Sequence, residues 1–345
     1  MDHKVCVTGA SGFIASHLVK QLLEKGYHVK ATVRSEASKY PYLTSLPGAD
    51  ERLELVKANL LDNSVFDSIV DDCDVVLHTA SPYIVNVKDP QKDLVDPAVK
   101  GTLNVLSSCA KSSSVKRVVL TSSMAAITDE PQDGKIFSEA DWNTKSDLKR
   151  NPYYYSKTLA ERSAWDFVEN SKPGFDLVAI NPFMVIGPSL GPGLNESNKI
   201  FSDMLSGKYP AIMALIWGIV DVRDVAKAHI LAMETSDASG RYLVSNEIMK
   251  MQDVVTYLKQ QGYGNYKLPT LSLASPFGNK VMRLLSYTQP KGNGTYLRSH
   301  LGKGMNYDNS KVKKELGIEF ISAKQSISDT IPDLIKWKHL KNKVA

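Results

Sequence analysis

The sequence has few cysteines and no residue cluster typical of a metal site. Its three cysteines, Cys6, Cys73 and Cys109, form no C-x-x-C pair, which argues against a zinc or dithiol motif and favours buried thiols in a reducing compartment. The seven histidines include no H-E-x-x-H arrangement. The sequence therefore predicts chemistry without a bound metal.

Long hydrophobic runs and dense blocks of charge are also missing. The longest apolar run, residues 211–220, is too short to span a bilayer, and no signal-peptide pattern precedes the first predicted strand. The 42 basic and 37 acidic residues are spread along the chain, apart from a short basic tail at 336–343 that we interpret as a solvated helix end. We therefore expect a cytoplasmic protein that binds neither membranes nor nucleic acid.

Short apolar strands alternate with longer helical patterns as far as Asn181. The predicted strands are 4–8, 28–33, 53–57, 75–78, 117–121 and 177–181, and the predicted helices between them are 13–25, 65–70, 94–111 and 154–168. Such alternation indicates βαβ units. It predicts an α/β fold with a Rossmann-type, doubly wound parallel sheet.

After Asn181 the chain enters a stretch rich in proline and glycine, which predicts a loop. The segment 220–233 is regular again and is expected to return to the first domain. We therefore predict a Rossmann domain formed by residues 1–181 and about 218–245. A smaller, discontinuous C-terminal substrate-binding domain would be formed by residues 182–217 and 246–345.

A glycine-rich turn joins the first predicted strand to the first predicted helix. It reads G-x-x-G-x-x-A at Gly9, Gly12 and Ala15. Gly9 permits a tight turn, Gly12 lets the backbone approach a pyrophosphate, and Ala15 lets helix and strand pack closely. The turn and the helix N-terminus predict a dinucleotide site. Its phosphate ligands would come from Gly9, Ser11, Gly12, Phe13 and Ile14.

The end of the second strand indicates which dinucleotide binds. An NAD site usually has an acidic residue about 20 residues after the glycines, to hold the ribose 2′-hydroxyl. Here the sequence is Thr32-Val33-Arg34-Ser35. Arg34 can pair with a 2′-phosphate in a fork geometry, and Lys39 can assist. We therefore predict NADP(H), the alternative being that Arg34 is an ordinary surface arginine.

The spacing Tyr-x-x-x-Lys occurs four times, beginning at Tyr153, Tyr263, Tyr287 and Tyr307. Only Tyr153 and Lys157 open a strong predicted helix, 30 residues after Ser123 at the end of the fifth strand. Residues four apart share one helix face. A lysine ammonium beside a phenol lowers a phenol pKa that starts near about 10.

These three residues suggest a hydride-transfer reaction. Tyr153 would protonate the oxygen of a carbonyl as the nicotinamide delivers hydride to its carbon. Lys157 would favour the phenolate and hold the nicotinamide ribose, and Ser123 would stabilise negative charge on the oxygen. We therefore predict that Ser123, Tyr153 and Lys157 are the catalytic residues.

With the glycine turn, the serine and the Tyr/Lys pair in place, the chain resembles an extended short-chain dehydrogenase/reductase. More narrowly, it is similar to the group of dihydroflavonol reductases, cinnamoyl-CoA reductases and yeast-type carbonyl reductases. The segments on which the resemblance rests are 7–15, 31–34, 78–82, 96–102, 118–123, 153–161, 180–182 and 221–226.

The resemblance implies further contacts with the cofactor. In the family an Asp-Leu pair usually meets the adenine, and here that pair is Asn59-Leu60. The segment after the fourth strand would line the cofactor, and residues after the sixth would flank the nicotinamide and close over it. These additional positions are Thr79, Ala80, Ser81, Pro182, Val185 and Ser197.

Two departures from the family bear on the substrate. The segment 151–157 reads N-P-Y-Y-Y-S-K, whereas cinnamoyl-CoA reductases carry N-W-Y-C-Y-G-K, which argues against a CoA thioester. Thr128 stands where dihydroflavonol reductases often hold an asparagine that grips the flavonoid. The residues expected to border the substrate pocket are Ser81, Met124, Ile127 and Thr128.

The resulting prediction is an NADP-dependent oxidoreductase acting on CH-OH groups, reducing a small aldehyde or ketone as a monomer or homodimer. A dihydroflavonol or cinnamoyl-type phenylpropanoid reductase is an alternative. A 3β-hydroxysteroid dehydrogenase or an NAD-dependent sugar epimerase is another, since both share the Tyr/Lys pair. A non-catalytic nucleotide-sensing protein is a third, against which the retained Tyr/Lys pair argues.

Overall fold

The computed structural model describes residues 3–62, 64–81, 87–289 and 291–343. Pro82, which ends the family landmark at 78–82, and the side chain of Lys291 lie outside the described residues. The strands are β1 Lys4–Thr8, β2 His28–Val33, β3 Leu53–Lys57, β4 Val75–His78, β5 Arg117–Thr121, β6 Ile136–Phe137, β7 Asp176–Pro182, β8 Met184–Ile186, β9 Ile216–Asp221, β10 Gly240–Val244, β11 Glu247–Lys250 and β12 Asn306–Tyr307.

The helices follow the strands in the expected alternation over the first half of the chain. They are α1 Phe13–Glu24, α2 Pro41–Thr44, α3 Ala49–Arg52, α4 Val65–Val70, α5 Asp96–Lys111, α6 Pro152–Ser171, α7 Glu196–Leu205, α8 Val222–Glu234, α9 Met251–Gln260, α10 Pro276–Leu285, α11 Lys291–His300, α12 Ser310–Leu316 and α13 Ala323–Lys336. None of these helices is both long enough and apolar enough to cross a membrane.

The largest sheet has seven strands, in the order β10-β7-β5-β4-β1-β2-β3. Every neighbouring pair in it is parallel. The strand order reverses between β1 and β4, and ligands of such sheets bind at the carboxyl ends of the strands beside this reversal. The predicted doubly wound fold is therefore confirmed.

Both faces of the large sheet are covered, because its strands carry apolar residues in both directions. Val5 and Val7 pack with α1 and α8 on one face, whereas Cys6 between them packs with α4 and α5 on the other. This split follows from the two-residue period of a strand. It explains why the strands read as continuous apolar runs.

A second core lies around the three-stranded sheet of β11, β9 and β8. Phe201 of α7, Trp217 of β9, Leu258 of α9 and Ile331 of α13 are all buried in it. Residues 222–244, which form α8 and β10, return to the large sheet, whereas β9 pairs within the small one. The division into a Rossmann domain and a substrate-binding domain, with the boundaries given above, remains a prediction.

Candidate active site

The glycine turn after β1 is held against the ends of β2 and β4. Gly9 has a φ of +70°, and a Cβ at this position would lie 3.0 Å from the Cβ of Ala80. The backbone N–H of Gly9 donates to Thr32 Oγ1 at 3.0 Å. Within the described residues no side chain caps α1, and its first turn holds no acid. The first amide groups of α1 can therefore receive an anion.

The cations predicted to select NADP(H) lie exposed just beyond β2. Arg34 and Lys39 are both exposed, and neither forms an ion pair with a residue that the structure describes. The nearby Glu36 carboxylate instead pairs with Lys57 Nζ at 2.7 Å, and this bond holds the pKa of Glu36 below its usual range. No acidic side chain in the described part of the chain therefore competes with a ligand for the guanidinium of Arg34.

The pair predicted to meet the adenine lies after β3. Asn59 is exposed, and its Oδ1 accepts a hydrogen bond from the backbone N–H of Leu61 at 3.1 Å. Leu60 packs against α5 at Gly101, where a Cβ would lie 2.4 Å from Leu60 Cδ2. Gly101 thus allows Leu60 to approach the helix closely.

A threonine and a histidine, both absent from the predicted site, hold the ends of β1 and β4 together. Thr8 Oγ1 accepts hydrogen bonds from the backbone N–H groups of Thr79 and Ala80 at 3.1 and 3.0 Å. Because its acceptor capacity is used, the hydroxyl donates to His78 Nδ1, 2.8 Å away. Burial lowers the pKa of His78 to about 3, with a further contribution from the charge of Lys157. This arrangement fixes Thr79 and Ala80 beside the glycine turn.

The predicted catalytic residues come from the end of β5 and the start of α6. Ser123 and Tyr153 line one cavity, and Lys157 Nζ lies 6.0 Å from the ring centre of Tyr153. Ser123 Oγ accepts the backbone N–H of Ala125 at 3.1 Å, so its own hydrogen is left to donate. Burial lowers the pKa of Lys157 to about 8, opposed by the negative charge of Glu161.

A buried ion pair lies one helical turn beyond Lys157. Glu161 accepts a hydrogen bond from Arg241 Nε at 2.6 Å, and the two side chains are 0% and 7% exposed. Glu161 also accepts from Ser122 Oγ and from Asn181 Nδ2. Asn181 in turn donates to the backbone carbonyl of Ser123 at 3.2 Å. The network therefore ties α6 to β5, β7 and β10, the elements around the catalytic residues.

We expect Glu161→Gln to lower the free energy of unfolding by about 3–5 kcal/mol, because it leaves the buried Arg241 cation uncompensated. The measurement is urea unfolding followed by circular dichroism. Glu169→Gln, an exposed position on the same helix, is the control and should change stability by less than about 0.5 kcal/mol. Equal stability of the two variants would show that the ion pair contributes nothing.

The cavity that contains Ser123 and Tyr153 has a volume of about 750 Å³. Its walls come from α6, α7, α10 and α11 together with β8 and β9. Most of the lining is apolar or aromatic, and includes Phe183, Ile200, Met213, Trp217, Tyr296 and Met305. Such a wall suits an apolar ligand of moderate size, with the polar chemistry confined to a few groups.

Of the residues predicted for the substrate pocket, some line the cavity and one lies in the core. Met124 and Thr128 line the cavity, as does Ser197 from the cofactor set. Ile127 is only 1% exposed and is not part of the lining. It packs with Phe137 and Leu243 instead, because it follows a short helical turn that directs it into the core. Ser81 immediately precedes residues 82–86, which lie outside the described ranges.

Two residues predicted to flank the nicotinamide lie where the large sheet meets the small one. Pro182 ends β7, and Val185 lies in β8, which pairs with β9. Both are buried.

No group of three His, Cys, Asp or Glu side chains in the part of the chain that the structure describes could hold a metal ion.

The match at Tyr307 and Lys311 lies beside β10, the strand at one edge of the large sheet. Tyr307 accepts a hydrogen bond from Ser245 Oγ at 2.8 Å, and Lys311 donates to the backbone carbonyl of Ser239 at 2.8 Å. These contacts join the two ends of β10 to β12 and α12. The setting at the end of β5 therefore distinguishes Tyr153 from its repeats.

Comparison with known proteins gives matches over most of the chain. The model of the NAD dependent epimerase/dehydratase family matches residues 5–246. Cinnamoyl-CoA reductase CAD2 of Medicago truncatula is 50% identical over 276 residues, which are 78% of this chain and 83% of that protein. Tetraketide alpha-pyrone reductase 1 of Arabidopsis thaliana is 38% identical over 347 residues, or 98% and 97% of the two chains.

The fold is also similar to that of solved reductases. The crystal structure of yeast methylglyoxal/isovaleraldehyde reductase Gre2, complexed with NADPH, matches with a TM-score of 0.81 and 32% sequence identity. The match covers 97% of this chain and 99% of that one. The similarity therefore includes both the large sheet and the segments that form the cavity.

Proposed function

The chain belongs to the NAD dependent epimerase/dehydratase family, as an extended short-chain dehydrogenase/reductase, and on that premise we propose that it reduces an aldehyde or ketone to an alcohol with NADPH. One observation supports this most strongly. A serine and a tyrosine share the wall of an apolar cavity, with a buried lysine beside the tyrosine. Hydride transfer to a carbonyl needs a proton donor and an oxyanion partner at such a position.

The residues around the glycine turn suit a dinucleotide phosphate. Gly9 leaves a cradle that a Cβ would fill, and the first turn of α1 has free amide groups. Arg34 is placed to pair with a 2′-phosphate beyond β2. Bound NADPH would supply the hydride for the reduction. The yeast reductase with the similar fold was crystallised with NADPH.

The chain's own residues would handle the proton and the charge. Tyr153 Oη donates its proton to the carbonyl oxygen, and Ser123 Oγ donates a hydrogen bond to the same oxygen as charge develops on it. The Lys157 ammonium stabilises the phenolate that Tyr153 leaves behind. Glu161 keeps negative charge close to this lysine, which favours the ammonium form.

Arg34→Ala is expected to lower kcat/KM for NADPH by about 10–100-fold, because it removes a charge-assisted hydrogen bond to the 2′-phosphate. Activity with NADH, which lacks that phosphate, should change by less than about threefold. The test compares kcat/KM for both cofactors in the wild type and in the variant. Lys39→Ala is measured beside it and should lower kcat/KM for NADPH less than Arg34→Ala does. Equal losses with NADPH and NADH would contradict the proposed role of Arg34.

The proposed reaction is tested with a panel of carbonyl compounds and the absorbance of NADPH. Aromatic aldehydes, α-diketones, β-ketoesters and dihydroflavonols cover the range of sizes that the cavity admits. We expect the apolar and aromatic members to be reduced fastest, because the lining is apolar. A purified protein that binds NADPH and oxidises it with none of the compounds would contradict a reductase.

A phenylpropanoid reductase is the second candidate, favoured by the 50% identity to a cinnamoyl-CoA reductase. Two observations argue for a free carbonyl compound rather than a CoA thioester. The segment 151–157 departs from the cinnamoyl-CoA reductase signature. The cavity lysines Lys199 and Lys208 share the single carboxylate of Asp203, at 2.6 Å each, and Glu196 also lines the cavity, so these four groups offer no net positive charge to the phosphates of a CoA ester. Adding cinnamoyl-CoA to the panel separates the two candidates.

A 3β-hydroxysteroid dehydrogenase or a sugar epimerase would share the Tyr/Lys pair. An epimerase usually retains tightly bound NAD and has an acid at the tip of the second strand. Arg34 argues against both features. Denaturing the purified protein and identifying any released nucleotide distinguishes a reductase from an epimerase, because retained NAD would favour the epimerase.

A further inference from the structure

Several polar side chains in the cavity wall are already paired with protein atoms. The Thr128 hydroxyl donates to the backbone carbonyl of Glu130 at 2.8 Å, and Ser286 Oγ donates to that of Arg283 at 2.6 Å. Lys199 and Lys208 both bind Asp203. The two hydroxyl groups therefore have little free capacity for a ligand, and the two ammonium groups can only donate to one.

His300 differs from these residues. It is the last residue of α11, lines the cavity and is only 4% exposed. Its ring stacks on Tyr296 with centres 3.9 Å apart. Nδ1 lies 3.0 Å from the backbone carbonyl of Tyr296 and 2.9 Å from Ser299 Oγ. One edge of the ring is therefore fixed by its own helix.

These contacts determine which ring nitrogen carries the hydrogen. A carbonyl oxygen can only accept, so Nδ1 must be the donor toward Tyr296. Burial lowers the pKa of His300 to about 4, so the ring is neutral and Nε2 is an acceptor. Nε2 has no hydrogen-bond partner among the residues described. Because Nδ1 is bound to its own helix and His300 lines the cavity, Nε2 is the ring nitrogen available to a ligand there.

A second wall residue presents the same kind of group. Asn151 donates through Nδ2 to the buried carboxylate of Asp129, which leaves its Oδ1 acceptor without a partner in the described ranges. Asn151 also lines the cavity. The free polar atoms of these two buried side chains are thus acceptors, and an acceptor in an apolar wall is satisfied by a ligand that brings a hydrogen.

We propose that the substrate carries a hydroxyl group separate from its reacting carbonyl, and that His300 Nε2 accepts a hydrogen bond from it. The proposal rests on the proposed function, because it concerns the cavity that holds Ser123 and Tyr153. It makes His300 a specificity-determining residue. A site built to bond a hydroxyl discriminates against the analogue that lacks it, since the buried acceptor is then left unpaired.

The experiment measures kcat/KM with NADPH for two pairs of aldehydes that differ by one hydroxyl. The pairs are 4-hydroxycinnamaldehyde with cinnamaldehyde, and 4-hydroxybenzaldehyde with benzaldehyde, which place the hydroxyl at two distances. We expect the hydroxylated member of at least one pair to be preferred by about tenfold in the wild type. In His300→Phe, which keeps an aromatic ring on Tyr296, this ratio should fall to about one.

His339→Phe is the matched control, because His339 is partly exposed and lies outside the cavity lining. It should keep the wild-type ratio. His300→Met serves as a second variant if the phenylalanine variant does not fold, as judged by its thermal midpoint. The proposal about His300 is overturned if the wild type shows a ratio near one for both pairs. It is also overturned if a tenfold ratio persists after His300 has been replaced. Neither outcome affects the proposed function. NADPH binding with no turnover of any aldehyde overturns the proposed function as well.

Discussion

Replacing Tyr153 by phenylalanine is expected to lower kcat for carbonyl reduction by about 10²–10⁴-fold, the usual contribution of a general acid. The substitution removes only the hydroxyl. The ring keeps its edge contact with Tyr154, with centres 6.0 Å apart, and its position 6.0 Å from Lys157 Nζ. NADPH should therefore still bind. The measurement is the rate of NADPH oxidation together with NADPH affinity from fluorescence quenching.

The matched control for this variant is Tyr155→Phe on the same helix. Tyr155 is two residues further along α6 and is not part of the described cavity lining. Its loss of a hydroxyl should leave kcat within about twofold of the wild type. A Tyr153→Phe enzyme as active as the Tyr155→Phe enzyme would mean that another group supplies the proton.

Lys157→Met is expected to lower kcat by about 10²–10³-fold, the cost of losing one charged or hydrogen-bonding group that stabilises the transition state. In the wild type, activity should likewise fall when Lys157 loses its proton at high pH. Burial lowers the pKa of Lys157 to about 8, so the ammonium is present below that pH and is lost as the pH rises through it. We expect kcat/KM to fall about thirtyfold between pH 7 and pH 9.5 for a single group of this pKa.

Lys157→Arg separates the charge from the shape of the side chain. A guanidinium keeps its proton at every pH tested, so the decline above pH 8 should disappear. The rate itself should stay below that of the wild type, because the planar group does not reproduce the geometry of an ammonium. If the arginine variant keeps the decline, the titrating group is not Lys157.

The large sheet could be predicted from the sequence because its signals are local. The strand bounds at 4–8, 28–33, 53–57, 75–78 and 117–121 match the structure, since each is a short run rich in apolar residues between turn signals. Strand β10, which completes the large sheet, was not among the predicted strands. The glycine turn was equally readable, because strand, glycines and helix follow one another within 25 residues. Helix α6 is longer than predicted, since Pro152 begins it and Ser171 ends it.

The hydrogen bonds and the ion pair that hold the site together could not be predicted from the sequence. Glu161 and Arg241 are 80 residues apart, and Thr8 and His78 are 70 apart. Nothing in the sequence indicates that such distant polar residues meet. For Thr8, His78 and Arg241 the only local signal is a polar side chain in an otherwise apolar strand, where burial requires a partner. Glu161 lies within α6, where a glutamate gives no such signal.

The cavity wall was the least predictable part. His300 and Tyr296 belong to α11, a helix whose sequence is mostly small and polar. Their place at the cavity depends on how α10 and α11 pack against the small sheet. The mostly small and polar sequence of α11 gives no sign of that packing. Met124 and Thr128, which the sequence analysis expected at the substrate pocket, line this cavity because they follow Ser123 closely in the chain.

The central claim is that the cavity holds a carbonyl compound to which hydride is transferred while Tyr153 supplies the proton. Its most direct test uses NADPH carrying deuterium at the transferred position of C4, a carbonyl compound that is turned over, and mass and NMR analysis of the product. The account predicts an alcohol with one deuterium on the former carbonyl carbon. An alcohol without deuterium, or a rearranged product formed with no net consumption of NADPH, would contradict it.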